Sequence, residues 1–469
     1  MKTANKGHQV KIEAQITEGI NDISDLIQKQ YIIKDAADLE VIEKEIAEVT
    51  DRLAALITAQ KIQQALDSDE ILNESTDLIK GLGKKMKNQG PREVSIMTLR
   101  GTVVIVTGYY SRKGFLRSIK RRPRPGLYPA LYLLGIHDHC SPALGAEISM
   151  MSVILSSFEE ARRVLEERGL VIDVKTIRKI TLRFARRAQA MQKDDKDIIN
   201  VTLAGCRVVV STDGGRMRIR QKKRGPKTQK GRNRYTTDWK EPKLLIIYTV
   251  NEKGEKETTF APFIDGTLKG PNATFALIRY YLSKLNICEA DKILFVADGA
   301  RWIWARVPAL MESLGLKPSQ CYELIDFYHA VEHLGKVADL HKKWKKTEKK
   351  RWINKNRSLL KKGKADMVIN TIHELCKGKR IKNLRRELNY FIRNRKRLCY
   401  DKIKNAGLPI GSGAMESAIR RVVNLRLKGA GMFWLRETAE AMLKLRSYYK
   451  AGRWNMLKIL AFSKDLAVV

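Results

Sequence analysis

Long apolar runs are missing from this chain of 469 residues. A bilayer-spanning helix needs roughly 18 or more consecutive apolar residues, and the longest candidate, LYPALYLLGI at 127–136, is too short. Cysteine is sparse as well. The six cysteines (Cys140, Cys206, Cys288, Cys321, Cys376 and Cys399) include no CxxC pair, so neither a disulfide framework nor a zinc ribbon is expected. HDHC at 137–140 sets His137, His139 and Cys140 close together, but a structural zinc takes four ligands and no partner pair is visible. The N-terminal MKTANKGHQV lacks the apolar stretch of a secretory signal, and reduced thiols in a cytosol are the expectation. Acidic residues are outnumbered too. Against 90 Lys and Arg stand 51 Asp and Glu, a net charge of +39. A field of that strength attracts polyanions and makes nucleic acid, not membrane, the expected partner.

The charge is unevenly placed. Residues 1–90 hold 12 basic and 16 acidic residues, a net of −4, which leaves +43 on the other 379. Within this segment residues 11–80 read as helices. Ile12, Ile16, Ile20, Ile23 and Ile27 share one face, and Leu39, Ile42, Ile46, Val49, Leu53 and Leu56 form a 3-4 spaced seam. The seam is compatible with a dimeric coiled coil, giving a homodimer or higher oligomer, and equally with a hairpin closing on itself. GLGKKMKNQGPR at 81–92 then reads as a joint.

VSIMTLRGTVVIVTGYY at 94–110 alternates with β-branched residues and predicts a small hairpin turning at Gly101, followed by the basic loop SRKGFLRSIKRRPRPG. FEEARRVLEERG at 158–169 stops at Gly169, and Asp173 looks like the N-cap of VKTIRKITLRFARRA. Helix, turn and basic helix suit a DNA-reading helix-turn-helix, with Lys175, Thr176, Arg178 and Lys179 where base edges would be met. A plain helical hairpin with a solvated basic face fits the same pattern.

Beyond residue 205 apolar strands alternate with helices. CRVVVSTDGG (206–215), KLLIIYTV (243–250), TTFAPFI (258–264), KILFVADG (292–299) and CYELIDF (321–327) read as strands, with helices after the third and fourth. That β-β-β-α-β-α-β order outlines an RNase H-like domain. A basic helical stretch follows, and LPIGSGAMESAIRRVVNLRLKGAG opens a last helical region carrying Glu416. The expected organisation is a multidomain α/β protein: a helical module (1–90), a small β region with the helix-turn-helix (91–200), the first part of an RNase H-like core (201–328), an all-helical basic insertion (329–407) and C-terminal helices completing the core (408–469).

Asp213 and Asp298 each end an apolar strand and precede glycine, where a charge is otherwise a poor choice. Two carboxylates at adjacent strand ends suit hard cations, and a metal pair activates the nucleophile and neutralises the leaving oxygen in phosphodiester cleavage. Asp-Gly is also an ordinary turn; two such instances in a chain this basic favour the site. Glu416 follows a Gly-Ser-Gly approach, with Arg420 and Arg421 one turn on where phosphate would be met. GRMRIRQKKRGPKTQKGRNRY at 215–235, directly after Asp213, holds ten Lys and Arg. It is expected to be mobile without DNA and to contact backbone phosphates through Arg216, Arg218, Arg220, Lys222, Lys223 and Arg224.

STDGG, WKEPKLLIIYTV, VADGARWIW, DFYHAVEHL and GSGAMESAIRRVVNLRLKGAGMFW occur in that order. In this the chain resembles the bacterial insertion-sequence DDE transposases of the ISKra-type group and, more distantly, Mutator-like elements, over about residues 95–450. The resemblance implies a catalytic and metal-binding triad of Asp213, Asp298 and Glu416, two Mg²⁺ ions with Mn²⁺ able to substitute, and a D-x-x-H signature at Asp326 and His329 beside the site. It implies cleavage of double-stranded DNA at transposon ends and strand transfer into a target. Relatives often carry paired cysteines after the tyrosines of the small β region; this chain does not. An RNase H-like nuclease that cuts without joining, and a non-catalytic DNA-binding protein, are the competing readings.

Overall fold

The computed structural model describes residues 2–82, 86–112, 126–194, 199, 201–229, 231–377 and 381–463. It is a multidomain α/β protein of two units: Met1–Lys193 with Lys458–Val469, and Asp194–Leu457. No helix among the described residues is long and apolar enough to cross a membrane.

In the first unit, α1 (Lys2–Gln28) and α2 (Ala36–Leu66) run antiparallel: Gln9 bonds Asp67, Arg52 meets Asp22 and Lys29 meets Glu45. Gly19 permits the approach, since a Cβ there would lie 3.2 Å from the Leu53 side chain. The Leu39–Leu56 seam therefore meets its own chain at the Leu53 end, while Leu39 and Ile46 stay exposed. After α3 (Asp69–Gly81), β1 (Met86–Thr98) pairs with β2 (Gly101–Arg112) about the expected turn, and β3 (Gly126–Leu127) adds to β2. The strand begins inside the stretch read as a joint. A register shift between Asn88 and Pro91 absorbs the glycine and proline that suggested a break.

Gln63 of α2 is wholly buried, accepting from the Val106 amide at 2.8 Å and donating to its carbonyl at 3.0 Å. A side chain thus substitutes for a neighbouring strand along β2. Ile12, Ala59 and Leu66 share one core with Ile96, Ile105 and Leu131, the last from α4 (Pro129–Leu133). Residues 1–90 and the small β region consequently have a common interior. Residues 113–125 of the basic loop lie outside the described residues.

The helix-turn-helix outline is present in α5 (Pro142–Ile154), α6 (Phe158–Glu167) and α7 (Val174–Asp194). Ser157 caps α6 and Glu160 reaches back to the Ser156 amide, while Gly169 at φ 76° ends the turn that follows. Asp173 accepts from the amides of Lys175 and Thr176, as the sequence suggests. Leu144, Ile148, Leu165, Ile172 and Ile177 close the three helices around one cluster.

In the second unit β4 (Arg207–Gly214) runs into a hairpin, β5 (Met217–Lys222) and β6 (Tyr235–Lys240), and returns as β7 (Lys243–Val250). With β8 (Phe263–Thr267), β9 (Lys292–Ala297) and β10 (Cys321–Ile325) they form a five-stranded sheet ordered β10-β9-β4-β7-β8 and a two-stranded ribbon. β4 pairs antiparallel with β7 and parallel with β9, so the first and fourth core strands are neighbours. The third lies several residues later than TTFAPFI suggests and runs through Asp265. An aspartate reads as a strand breaker, but this one is buried against Lys444 and the Tyr281 hydroxyl.

Connecting helices are α8 (Pro271–Lys284), α9 (Arg301–Trp304) and α10 (Val307–Ser313). The stretch expected as a helical insertion forms α11 (Phe327–Leu340), α12 (Lys346–Lys361), α13 (Ala365–Cys376), α14 (Lys382–Asn394) and α15 (Tyr400–Asn405). α16 (Gly413–Ile419) continues as a π-helical turn, and α17 (Arg436–Lys450) and α18 (Trp454–Phe462) follow. From Lys458 onward the chain belongs to the first unit, so the 408–469 segment is divided between the two.

The Lys444–Asp265 pair fastens α17 to the end of the sheet. Replacing Lys444 with Met keeps most of the stem but strands a buried carboxylate, at a cost of about 3–5 kcal/mol. In urea melts that variant unfolds the second unit much earlier, and adding Asp265→Asn recovers part of the loss. A Lys444→Met protein with an unchanged midpoint would show that the pair carries no stability.

Candidate active site

β4 and β9 are in parallel register as far as Ser211 and Val296, so Asp213 and Asp298 emerge side by side at the same end of the sheet. Each carboxylate is held by a backbone amide beyond it: Asp213 accepts from Gly214 at 2.6 Å and Asp298 from Ala300 at 3.0 Å. Neither makes an ion pair with lysine or arginine among the described residues. Burial pushes the Asp213 carboxyl up to about 6, the Asp298 charge adds to that, and His329 opposes it.

Asp326 follows β10 directly, its amide bonding the Ala297 carbonyl at 2.8 Å, one residue before Asp298. It is wholly buried, caps α11 by accepting from the His329 amide at 2.9 Å, and also accepts from the Ser412 amide. The Phe327 amide bonds Ile410 at 3.0 Å alongside. The residue is a tie between the end of β10 and the segment leading into α16, and its oxygens are spent on backbone amides. His329 stands one turn on, half-buried, its Nδ1 3.5 Å from Glu332.

Glu416 lies in the first turn of α16, which packs on β4 and β7 through its buried Met415 and Ala418. Its carboxylate is exposed and has no hydrogen-bond or ion-pair partner among the described residues. Within the same limits no three carboxylate, histidine or cysteine side chains stand together as a ready metal-holding group. The structure therefore brings Asp213 and Asp298 together and leaves Glu416 on the adjoining helix. Arg420 is exposed in the π turn, and Arg421 is half-buried with its Nε 3.4 Å from the Ser417 carbonyl. Two unpaired carboxylates crowded enough to raise one of them fit a divalent cation, since only an added positive charge relieves the crowding.

Three features escape the sequence. Glu241, just before β7, adds a third negative charge near Asp213 while its own carboxylate meets Lys243 at 2.7 Å. Gly299 is required by packing: a Cβ there would fall 2.1 Å from the Tyr390 ring, and Arg393 bonds the Gly299 carbonyl at 2.9 Å. The insertion thus abuts the Asp298 loop. Between them runs a cleft of about 1010 Å³, with Asp298 and His329 on its lining and Arg301, Lys336, Lys382, Arg385, Arg386 and Arg393 around them. No local pattern announces it, because its walls come from three separate segments, 298–301, 329–336 and 382–393.

The basic stretch after Asp213, expected to be mobile, is a formed ribbon. Met217 and Ile219 are buried, and Arg220 covers the rings of Tyr235 and Phe433 at 4.5 and 4.4 Å. Its charges read as a loop, but every second residue from Arg216 to Lys222 is basic while the two between the first three are apolar, which is a strand pattern. In the helix-turn-helix, Lys175 and Arg178 are exposed and their side chains make no hydrogen bond or ion pair among the described residues, whereas the Thr176 hydroxyl bonds Asp173 at 2.6 Å and the Lys179 ammonium meets Asp138 at 2.7 Å. His137, His139 and Cys140 turn apart: Arg187 bonds His137 at 2.7 Å, His139 faces the Ser95 carbonyl at 3.1 Å and Cys140 is buried. Comparison with known protein families and with curated proteins gives no match.

A carboxyl whose pKa is raised by folding binds its proton more tightly when folded. Between the unfolded value near 3.8 and the folded value near 6, Asp213 costs stability progressively as pH rises. In chelator, Asp213→Asn should melt above the parent at pH 7, with the gap narrowing as pH falls toward 4. A gap independent of pH would mean that the substitution acts through packing instead of charge.

Proposed function

We propose that this chain is a DDE-type DNA transposase, with an RNase H-like core in which Asp213, Asp298 and Glu416 serve cleavage at transposon ends and transfer into a target duplex. One observation carries the reading: two unpaired carboxylates at the ends of adjacent parallel strands in a chain of net charge +39. The order β10-β9-β4-β7-β8, with the first three core strands antiparallel and the others parallel to β4, supports the RNase H-like assignment. The motif order that resembles ISKra-type transposases supports the same identity.

Asp213 and Asp298 would hold Mg²⁺ or Mn²⁺, with Glu416 completing the set, because its free carboxylate ends a flexible side chain on a helix packed against β4. Bound there, two such ions supply Lewis-acid activation of a water or 3′-hydroxyl and neutralise the leaving oxygen. The residues around them orient DNA. The arginines and lysines of the cleft beside Asp298 face a strand's phosphates, and Asp326 holds the Glu416 helix against β10 through the Ser412 amide. Hydrolysis at each end leaves a 3′-hydroxyl; that oxygen then attacks a target phosphorus, forming a new phosphodiester and displacing the target strand's own 3′-oxygen as its hydroxyl. Two ends must be held together, and the exposed Ile20, Ile27, Leu39 and Ile46 of the α1–α2 pair offer apolar surface to a second copy.

Asp213→Asn, Asp298→Asn and Glu416→Gln should each abolish both cutting and joining, since a carboxamide is a poor ligand for a hard cation. DNA affinity should hold or rise with the lost negative charge. Incubation with the element's own flanks and Mg²⁺, followed by junction sequencing, reads both steps. A Glu416→Gln protein that joins pre-cut ends normally removes Glu416 from the site. Products that are cut but never joined, from the wild-type chain, establish the nuclease reading.

The helix-turn-helix should divide into readers and spectators. Lys175→Ala and Arg178→Ala should narrow the gap between end-specific and random DNA, each base contact being worth about 1–3 kcal/mol. Thr176→Ala and Lys179→Ala should change that gap less, their polar groups already being taken by Asp173 and Asp138. Competition binding on both kinds of duplex measures it; equal losses on every sequence from all four would rule out base reading by α7.

A further inference from the structure

β5 and β6 prolong the β4–β7 pair beyond the sheet. Gly214 faces Lys243, the Gly215 amide bonds the Pro242 carbonyl at 2.9 Å, and Met217 then faces Lys240. The ribbon is therefore rooted four residues from Asp213. Its root is fixed: Met217 and Ile219 are buried, and the strand pairs with Trp434 through the Arg220 amide at 2.8 Å and the Arg218 carbonyl at 2.9 Å. Beyond Ile219 every described residue through Lys240 is exposed, although pairing continues to Lys223 and Arg234 and a turn closes from Thr228 to Arg232. An isolated two-stranded ribbon is marginal in water, so this outer half is shaped for something it meets.

Its two faces differ. Opposite residues of an antiparallel pair share a face, which puts Arg218 with Trp239, Arg220 with Thr237 and Lys222 with Tyr235, and Arg216 in line with them. The rings hold the cations: Arg216 and Arg218 lie 5.8 and 5.4 Å from the Trp239 ring, and Arg220 lies over Tyr235. Trp239 and Tyr235 are still 46% and 44% exposed. From Arg216 to Lys240 the sequence holds eleven Lys and Arg and one carboxylate, Asp238. The surface fits a polyanion. Two strands about 4.8 Å apart, with side chains, are too wide for a minor groove of about 6 Å but enter a major groove of about 12 Å.

We propose that the β5–β6 ribbon enters the major groove of duplex DNA, so that the chain grips the groove next to the phosphodiester it presents to Asp213. This rests on the reading of the Asp213–Asp298 site as a DNA-cutting centre. It also goes beyond phosphate contact, since a ribbon in the groove covers base edges.

Dimethyl sulfate methylates guanine N7 in the major groove and adenine N3 in the minor groove, so one footprint of the full chain on duplex DNA separates the two. The wild-type complex should protect guanine N7 over a short stretch. Lys222→Gln, Lys223→Gln and Arg224→Gln together should lose the protection that persists in a Lys175→Ala, Arg178→Ala chain, while hydroxyl-radical protection from the rest of the chain persists. These side chains are exposed, and circular dichroism checks that the fold is retained. Guanine N7 reactivity equal to free DNA, protection at adenine N3 instead, or N7 protection identical in the wild-type chain and the triple variant overturns the proposal. Asp213→Asn should give the wild-type footprint without cutting. N7 protection without any cutting by the wild-type chain sinks the transposase reading and leaves the ribbon in place. Cutting with N7 unprotected sinks the ribbon alone, and no duplex bound at all overturns both.

Discussion

Two carboxylates held side by side, with no lysine or arginine paired to either among the described residues, set the terms for the rest of the second unit. Asp213 and Asp298 cannot move apart, because the parallel register of β4 and β9 fixes where both strands end. Burial and mutual repulsion lift Asp213 to about 6, a standing destabilisation at neutral pH. A fold that keeps such a pair must secure its surroundings by other means. Bonds from the Gly214 and Ala300 amides hold one oxygen of each carboxylate in place.

That securing is visible around the pair. Asp326 joins the start of α11 to the approach to α16, so the helix bearing Glu416 is set by a residue that spends its own charge on amides. Gly299 admits the Tyr390 ring, and Arg393 takes the Gly299 carbonyl, so the insertion bears directly on the Asp298 loop. On the far side of the sheet, Lys444 neutralises Asp265 and Glu440 accepts from Thr267 and the Leu268 amide, tying α17 to β8. Each tie joins segments far apart in sequence, and together they hold a repulsive site against relaxation.

This distribution explains what the amino-acid order reveals. Strands β4, β7, β9 and β10 are legible because their apolar runs are continuous and end in turn residues, and the neighbouring of β4 and β9 follows from that order. The N-cap at Asp173 is legible because capping is local. β8 is displaced because Asp265 depends on Lys444, 179 residues away. The basic ribbon reads as a loop because charge outweighs its alternating Met217 and Ile219, and the Trp434 that anchors it is distant. Asp326 and Asp298 look alike as carboxylates at strand ends, yet one caps a helix and the other faces a cleft; only the positions of Ser412 and His329 separate them. The apolar seam of α2 is ambiguous for the same reason, since its partner is α1.

The net charge of +39 overstates the exposed cationic surface, because many cations are structural. Arg446 is buried and donates to the Val422 carbonyl at 2.9 Å, Arg453 donates to the Pro262 carbonyl at 3.0 Å, and Arg187 donates to the Ala461 carbonyl at 2.8 Å. Burying a guanidinium is tolerable when carbonyl oxygens take its donors, and these three close loops and helix ends. Exposed cations include the ribbon from Arg216 to Arg234, the cleft beside Asp298, Lys175 with Arg178 at the start of α7, and the run along α12 from Lys342 to Lys364. The first two of these clusters adjoin the Asp213–Asp298 pair. A site that repels itself through its carboxylates is thus ringed by cations that repel one another, and neither is discharged by pairing with the other. A polyanion bound among the cations and metal ions held by the carboxylates would relieve both strains at once.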